Sequence, residues 1–374
     1  MFELQGANQN MIFDDWRSWT NNKNNALLIA GPCSAESPRQ LALVGAHLNQ
    51  MGIDIMRAGV WKPRTRPNSF EGKGIEALKW LQELKQQIPI KVATEVASPQ
   101  HVEAALKYNI DVLWLGARTT VNPFLVQEIA NAFQGVVIPV MIKNPINPDL
   151  ALWQGAIERI YNSGNKKVVA VHRGFSTYQK SKFRNTPSWQ IAIELKSNFP
   201  SLPLICDPSH IAGKRHMIFE VSQKALDLGY DGLMIETHPN PEQALSDADQ
   251  QVSLYELSSI IDRLRFAEKH SNDALFISQL EQLREKIDHI DQELVEILSM
   301  RKQLIEKIGD YKKENNVTVF QLERWNEILN SRTEWGKGKN MNPKFIQEIY
   351  KAIHDESIRI QTEIMGKETE KKKE

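Results

Sequence analysis

Cys33, His210, Glu236 and Asp247 carry metal-ligating side chains, and each follows an apolar, strand-like run. Cys33 lies in ALLIAGPCSAES, His210 in PLICDPSH and Glu236 in GLMIETHP, with Asp247 shortly beyond it. Thiolate, imidazole and carboxylate together suit borderline divalent ions such as Mn, Fe, Co or Zn better than Mg or Ca. Arg57, Lys62, Arg118, Lys143 and Arg173 are placed in the same way, after other apolar runs. A mixed soft and hard ligand set ringed by cations implies metal-assisted chemistry on a phosphorylated, anionic substrate. Glu95 and Asp207 occupy equivalent places.

The elements that must position these residues are eight short apolar runs: Leu27–Ala30, Ile53–Arg57, Lys91–Glu95, Val112–Leu115, Val136–Lys143, Lys167–His172, Leu204–Asp207 and Gly232–Glu236. Segments of helical length separate them. Such alternation reads as repeated βα units around a parallel sheet, and eight units match a (β/α)8 TIM barrel. An open doubly wound sheet would need a Gly-rich phosphate loop after its first strand, and GPCSAES is not that fingerprint. A barrel builds its active site from the loops at the C-terminal ends of its strands, where all of these residues fall.

Composition bounds the function class. At 374 residues the chain has room for two domains. Its 46 basic and 46 acidic residues cancel, so the chain as a whole has no reason to seek nucleic acid or a membrane. Two cysteines are too few for a disulfide framework and fit a reducing compartment. The opening MFELQGANQNMIFDDW has neither the basic nor the apolar region of a secretory signal, and no run is long enough to span a bilayer. A cytoplasmic enzyme is expected. The character of the chain changes near residues 266–274, which divides it into a barrel at 1–265, a linker at 266–274, an all-helical domain at 275–366 and a charged tail at 367–374.

The helical domain opens with Leu280, Leu283, Ile287, Ile290, Leu294, Leu298, Leu304, Ile305 and Ile308, spaced mostly by three and four. This predicts one amphipathic helix of roughly 60 Å from Leu275 to about Glu314. Two helical segments follow, near Gln321–Arg332 and Pro343–Ile364. A bundle formed by two chains covers such a long stripe, so a homodimer or higher homo-oligomer is expected. Periodicity alone also fits a coiled-coil stalk. Arg301 and Lys312 return to nearly the same face, and Ser357 and Gln361 form an i,i+4 pair. Arg284 lies roughly 25 Å along the axis from Arg301. One small ligand reaches both only if Arg284 comes from the partner subunit.

GPCSAES, RAGVWKPRTRPNSFEGKG, ATEV, LGAR, VMIKNP, VHRGFSTY with RNTP, CDPSHIAGKR and IETHPNPEQALSD follow in order. The set resembles 3-deoxy-D-arabino-heptulosonate 7-phosphate (DAHP) synthase, in the form related to 3-deoxy-octulosonate 8-phosphate synthase. The resemblance implies condensation of phosphoenolpyruvate with erythrose 4-phosphate, the first step of the shikimate pathway. KPRT at Lys62–Thr65 favours the heptulosonate enzyme over an octulosonate synthase using arabinose 5-phosphate. Arg66-Pro67 departs from the small residue usual after it. Lys62, Arg118, Lys143 and Arg173 match the phosphoenolpyruvate positions, with Arg57 a further substrate cation. Arg64 and Thr65 match those holding the aldose phosphate. Cys33, His210, Glu236 and Asp247 match the metal ligands, and Glu95 is the residue expected to organise the attacking water.

LREKIDHIDQELVEIL-SMRKQLIEKIGDYKKE, QLERWNEIL and IHDESIRIQTEI resemble the all-helical chorismate mutases. This implies rearrangement of chorismate to prephenate with no metal or nucleophile. Arg301 and the partner subunit's Arg284 would clamp the two carboxylates, while Lys312 and Gln361 address the ether oxygen; Ser357 matches a further ligand position. Gln321 and Trp325 stand where an acidic pair would meet the substrate hydroxyl. Gln321 substitutes for one of them; Trp325 does not supply the same hydrogen bond, so reduced activity is expected. The alternative is a synthase whose helical domain only binds prephenate or chorismate, or dimerises. Fusion of the two domains leads to the expectation that prephenate inhibits the synthase.

Overall fold

The computed structural model describes residues 11–20, 26–53, 55–62, 70–178, 181–267, 271 and 273–366. Arg64, Thr65 and the tail 367–374 therefore lie outside the described residues. The chain divides into two compact units, Met1–Lys269 and His270–Glu374.

In the first unit eight parallel strands close into a barrel in sequence order. They are β1 (Leu27–Gly31), β2 (Ile55–Arg57), β3 (Lys91–Val96), β4 (Val112–Leu115), β5 (Val140–Lys143), β6 (Val168–His172), β7 (Leu204–Cys206) and β8 (Gly232–Glu236). β8 closes on β1 from Leu27↔Gly232 to Gly31↔Glu236. Two strands start at least two residues later than the hydrophobic runs implied. Ile53 donates its N–H to Leu48 O and so belongs to the turn after the preceding helix. Pro139, which has no N–H to give a ladder, delays β5 to Val140.

Period-two alternation sorts the side chains. Leu27, Ile29, Ile55, Ala93, Val112, Trp114, Met141, Val169, Val171, Ile205 and Met234 fill the barrel interior, together with Trp16 and Trp19. Those two tryptophans sit on a 3-10 helix, Trp16–Trp19, at the N-terminal end of the strands, where Lys91 Nζ donates to Trp19 O. Two residues beyond Ile55, Ala93, Met141, Val171, Ile205 and Met234 come Arg57, Glu95, Lys143, Arg173, Asp207 and Glu236. The same alternation brings all six to the inward face at the C-terminal rim. The outward faces pack under the surrounding helices in a second apolar layer that contains Cys206.

Among the described residues the second unit has three helices, Ala274–Glu314, Leu322–Lys337 and Pro343–Gly366. The long helix begins at Asp273, whose carboxylate accepts from Leu275 N and Phe276 N. The first two helices both pack on the last. Along the long helix Leu283, Ile287, Ile290 and Leu294 remain 57, 57, 61 and 52% exposed, so one chain alone leaves the first half of its apolar stripe uncovered. Among the described residues no helix is long and apolar enough to cross a membrane.

Candidate active sites

The barrel rim is a network of buried opposite charges. Arg57 Nη2 lies 2.9 Å from Glu236 Oε1, and Lys143 Nζ lies 2.7 Å from Asp207 Oδ2. Arg57 is only 1% exposed and sits over the Trp114 ring. It was expected to contact substrate. In the structure it pairs with Glu236 and lies 3.9 Å from Asp207.

Asp207 begins the short helix Pro208–Ala212 and caps it, accepting from His210 N at 3.1 Å. Its other oxygen lies 2.8 Å from His210 Nδ1, although no aligned hydrogen bond forms there. Burial holds the His210 imidazole below its ordinary pKa despite that carboxylate, so it is neutral near pH 7. Neutral imidazole is the metal-ligating form.

The four expected metal ligands stand as two pairs. Cys33 Sγ donates to Asp247 Oδ2 at 3.2 Å, and His210 Nδ1 lies 3.9 Å from Glu236 Oε1. Among the described residues no three such side chains converge as a ready cation site. Each of the four also faces a further partner. Lys62 Nζ donates to Cys33 Sγ at 2.9 Å, Arg184 to Asp247 at 3.0 Å, Arg57 faces Glu236, and Asp207 faces His210.

The donor chemistry nonetheless fits a divalent ion. Glu236 Oε1 and His210 Nδ1 are buried without an aligned hydrogen bond. Burial, reinforced by Glu236, pushes the Cys33 thiol up to about 12. A thiol held that high becomes a ligand only against an added positive charge, and a coordinated metal supplies it.

The loops bearing Cys33 and Asp247 are tied together. Cys33 N donates to Gln251 Oε1 at 2.9 Å, Gln251 Nε2 to Ser246 O at 2.8 Å, and the Ser34 and Ser246 hydroxyls meet at 2.7 Å. Gly31, at the end of β1, lets the chain pass close to the backbone of β2. Its φ is +143°, and a Cβ there would lie 2.1 Å from Arg57 O.

A cavity of about 300 Å³ opens above this network, lined in part by Lys62, Glu95, Arg118, Lys143, Arg173, Arg184, Asn185, His210 and Asp247. Burial, together with the neighbouring Arg184 and Arg118, lowers the Arg173 guanidinium to about 10. It remains protonated at neutral pH but crowded by like charge, a strain that an anionic ligand relieves. Glu95 is held by Trp114, whose Nε1 donates to Oε2 at 3.0 Å. Sequence reasoning missed Arg184, Asn185, Gln250 and Gln251. Arg184 donates to both Asp247 and Gln250, Gln250 donates to Glu236 at 2.6 Å, and Asn185 accepts from Arg173 at 2.8 Å. Arg184 and Asn185 lay in the RNTP motif; Gln250 and Gln251 had no chemical signature of their own.

In the helical unit Arg301 Nη1 donates to Ser357 Oγ at 2.7 Å, and Gln361 Nε2 to Ser357 O at 3.1 Å. The long and last helices thus bring Arg301, Ser357 and Gln361 together. Lys312 Nζ donates to Val319 O at 2.6 Å. Gln321 is the exposed residue preceding the helix Leu322–Lys337, and Trp325 stacks on His354. Arg284 is not part of this group within one chain; it is exposed and donates to Glu281.

A closed (β/α)8 barrel with this cation-rich, carboxylate-braced rim defines an enzyme for small phosphorylated anions, here joined to a separate helical unit with its own cationic cluster. The comparisons give the family: the chain belongs to the DAHP synthetase I family, whose model matches residues 11–270, and the chorismate mutase type II model matches residues 283–362. Phospho-2-dehydro-3-deoxyheptonate aldolase of Thermotoga maritima is 32% identical over 238 residues, covering 64% of this chain and 68% of that protein. 2-Dehydro-3-deoxyphosphooctonate aldolase of Geotalea daltonii is 25% identical over 259 residues, covering 64% of this chain and 91% of that protein. A crystal structure of the Thermotoga maritima DAHP synthase superposes with a TM-score of 0.57 at 30% identity, covering 63% of this chain and 67% of that one. The two domains carry the two activities, DAHP synthesis from phosphoenolpyruvate and erythrose 4-phosphate and rearrangement of chorismate to prephenate. Synthases of this family are generally metal-dependent.

Proposed function

We propose that phosphoenolpyruvate occupies the barrel cavity with its carboxylate and phosphate on Lys62, Arg118, Lys143 and Arg173. The convergence of Lys62, Arg118, Lys143, Arg173 and Arg184 on one cavity is the observation that carries this reading. Arginine provides planar bidentate contacts and lysine a point charge. Arg64 and Thr65 take the phosphate of erythrose 4-phosphate. Cys33, His210, Glu236 and Asp247 hold a divalent ion, Mn, Fe, Co or Zn, which when bound polarises the aldehyde oxygen. Arg57 and Arg184 hold Glu236 and Asp247 in place for it. The enol carbon then attacks the aldehyde carbon, water organised by Glu95 adds at the resulting cationic carbon, and phosphate leaves. Chelation and metal add-back, with erythrose 4-phosphate and arabinose 5-phosphate compared as acceptors, test this. Full activity after complete chelation overturns the metal assignment, and preference for arabinose 5-phosphate overturns the substrate.

For the helical unit we assign the chorismate carboxylates to Arg301 and the partner subunit's Arg284, and the ether oxygen to Lys312 and Gln361. Gln321 and Ser357 complete the polar shell. The exposed stripe from Leu283 to Leu294 supports a homodimer through this unit. Prephenate retained there is the inhibitor we assign to the synthase. Synthase assays with and without prephenate, on the full chain and on protein ending at residue 270, test it. Equal inhibition of both excludes the helical unit as sensor. No prephenate formed above the Arg301→Ala background would reduce the unit to a binding or dimerising role.

A further inference from the structure

We propose that His354 is a substrate-contacting residue of the mutase site, holding the uncharged hydroxyl end of the ligand through Nε2 while Trp325 fixes its ring by stacking. The inference rests on the mutase reading above and extends it to a residue that reading leaves unused.

Three observations carry it. His354, Ser357 and Gln361 are spaced i, i+3, i+7 on the helix Pro343–Gly366, so they share one face. Ser357 on that face already accepts from Arg301. The His354 ring is stacked on Trp325 at 4.0 Å between centroids and 20° between planes, with Phe320 edge-on at 6.0 Å. It is therefore locked on both sides. Yet His354 Nε2 is buried and makes no hydrogen bond. A buried ring nitrogen without a partner is costly unless a ligand satisfies it.

The electrostatics select the kind of group. The charges acting on His354 are Arg301 and Lys312 from the long helix and Asp355 on its own helix. Burial and the two cations keep the imidazole below its ordinary pKa, hence neutral. The carboxylates of the ligand already have Arg301 and the partner subunit's Arg284, and its ether oxygen has Lys312 and Gln361. A neutral ring nitrogen suits a hydroxyl, which can donate or accept and so satisfies either tautomer. Trp325 removes one hydrogen bond from this region and, by stacking, supplies another through His354.

The test compares His354→Phe, which keeps the stack and removes Nε2, with His354→Gln, which keeps a hydrogen-bonding group. Prephenate formation, melting temperature and synthase activity are measured on the full chain. Expected for His354→Phe is a roughly three- to ten-fold fall in kcat/KM, carried by KM, from the loss of one neutral hydrogen bond. The melting temperature and synthase activity stay unchanged, and His354→Gln recovers most of the loss. Wild-type KM in His354→Phe overturns the inference, as does an equal loss in both variants with a lowered melting temperature, which marks a packing role. Absence of prephenate formation in the wild type overturns the mutase reading itself, and the inference with it.

Discussion

Asp207 is the residue on which the barrel rim depends most heavily. It is fully buried, accepts Lys143 Nζ at 2.7 Å, caps the helix that carries His210 at 3.1 Å, and lies 3.9 Å from Arg57 Nη1. Asp207→Ala leaves the Lys143 ammonium buried with no carboxylate. Breaking a buried pair from one side costs about 3–5 kcal/mol. The lost helix cap accounts for about 1 kcal/mol of that range. Arg57 keeps Glu236 at 2.9 Å, so its contribution is small. At about 2–4 °C per kcal/mol for a unit of this size, the barrel transition should fall by about 6–20 °C. Asp207→Asn preserves the shape but removes the charge and one of the two acceptor oxygens, so it should cost a comparable amount. Calorimetry of the full chain, following the barrel transition, measures both, and the KM for phosphoenolpyruvate should rise in each as Lys143 loosens. A barrel stability within ~1 kcal/mol of wild type for Asp207→Ala or for Asp207→Asn refutes the argument that a buried charge network organises the rim.

Further outcomes follow from other parts of the molecule. A Cβ at Gly116 would lie 2.2 Å from Glu95 Oε1, so Gly116→Ala should displace Glu95 and lower synthase kcat about 10- to 100-fold with KM nearly constant; steady-state kinetics decide. His172 is buried, and burial lowers its pKa from 6.5 to about 4. The unfolded state therefore binds the extra proton between these values, and barrel stability should fall by about 3 kcal/mol as pH drops through that window. Urea titrations of wild type and His172→Gln should differ in slope there, and parallel curves would remove His172 as the cause. Mixing Arg284→Ala with Arg301→Ala protein should restore about one quarter of wild-type mutase sites, because a mixed dimer rebuilds one intact site. No recovery on mixing would place Arg284 outside the partner's site.

The barrel was legible because its strands are short apolar runs ending in charge, and the chemistry sits at those ends. Alternation fixes which end residues face inward: Arg57, Glu95, Lys143, Arg173, Asp207 and Glu236 each follow an interior apolar residue by two. Gln250 and Gln251 were not legible, because an amide in a loop reads as surface until its partner is known. Their partners are Glu236, the last residue of β8, and Cys33, in the loop after β1.

The sequence by itself determined the order of elements, the split into a barrel and a helical unit, and the residue types at each strand end, since local periodicity and composition encode all three. Only the tertiary structure decided which charges pair. Arg57 and Lys143 have the same kind of sequence context, yet Arg57 is buried over the Trp114 ring against Glu236 while Lys143 pairs with Asp207 and borders the cavity. Trp325 reads in sequence as the loss of an acidic contact, and the fold sets it against His354, about thirty residues away. Pairings of this kind depend on distances between separate helices and strands, which no local pattern carries.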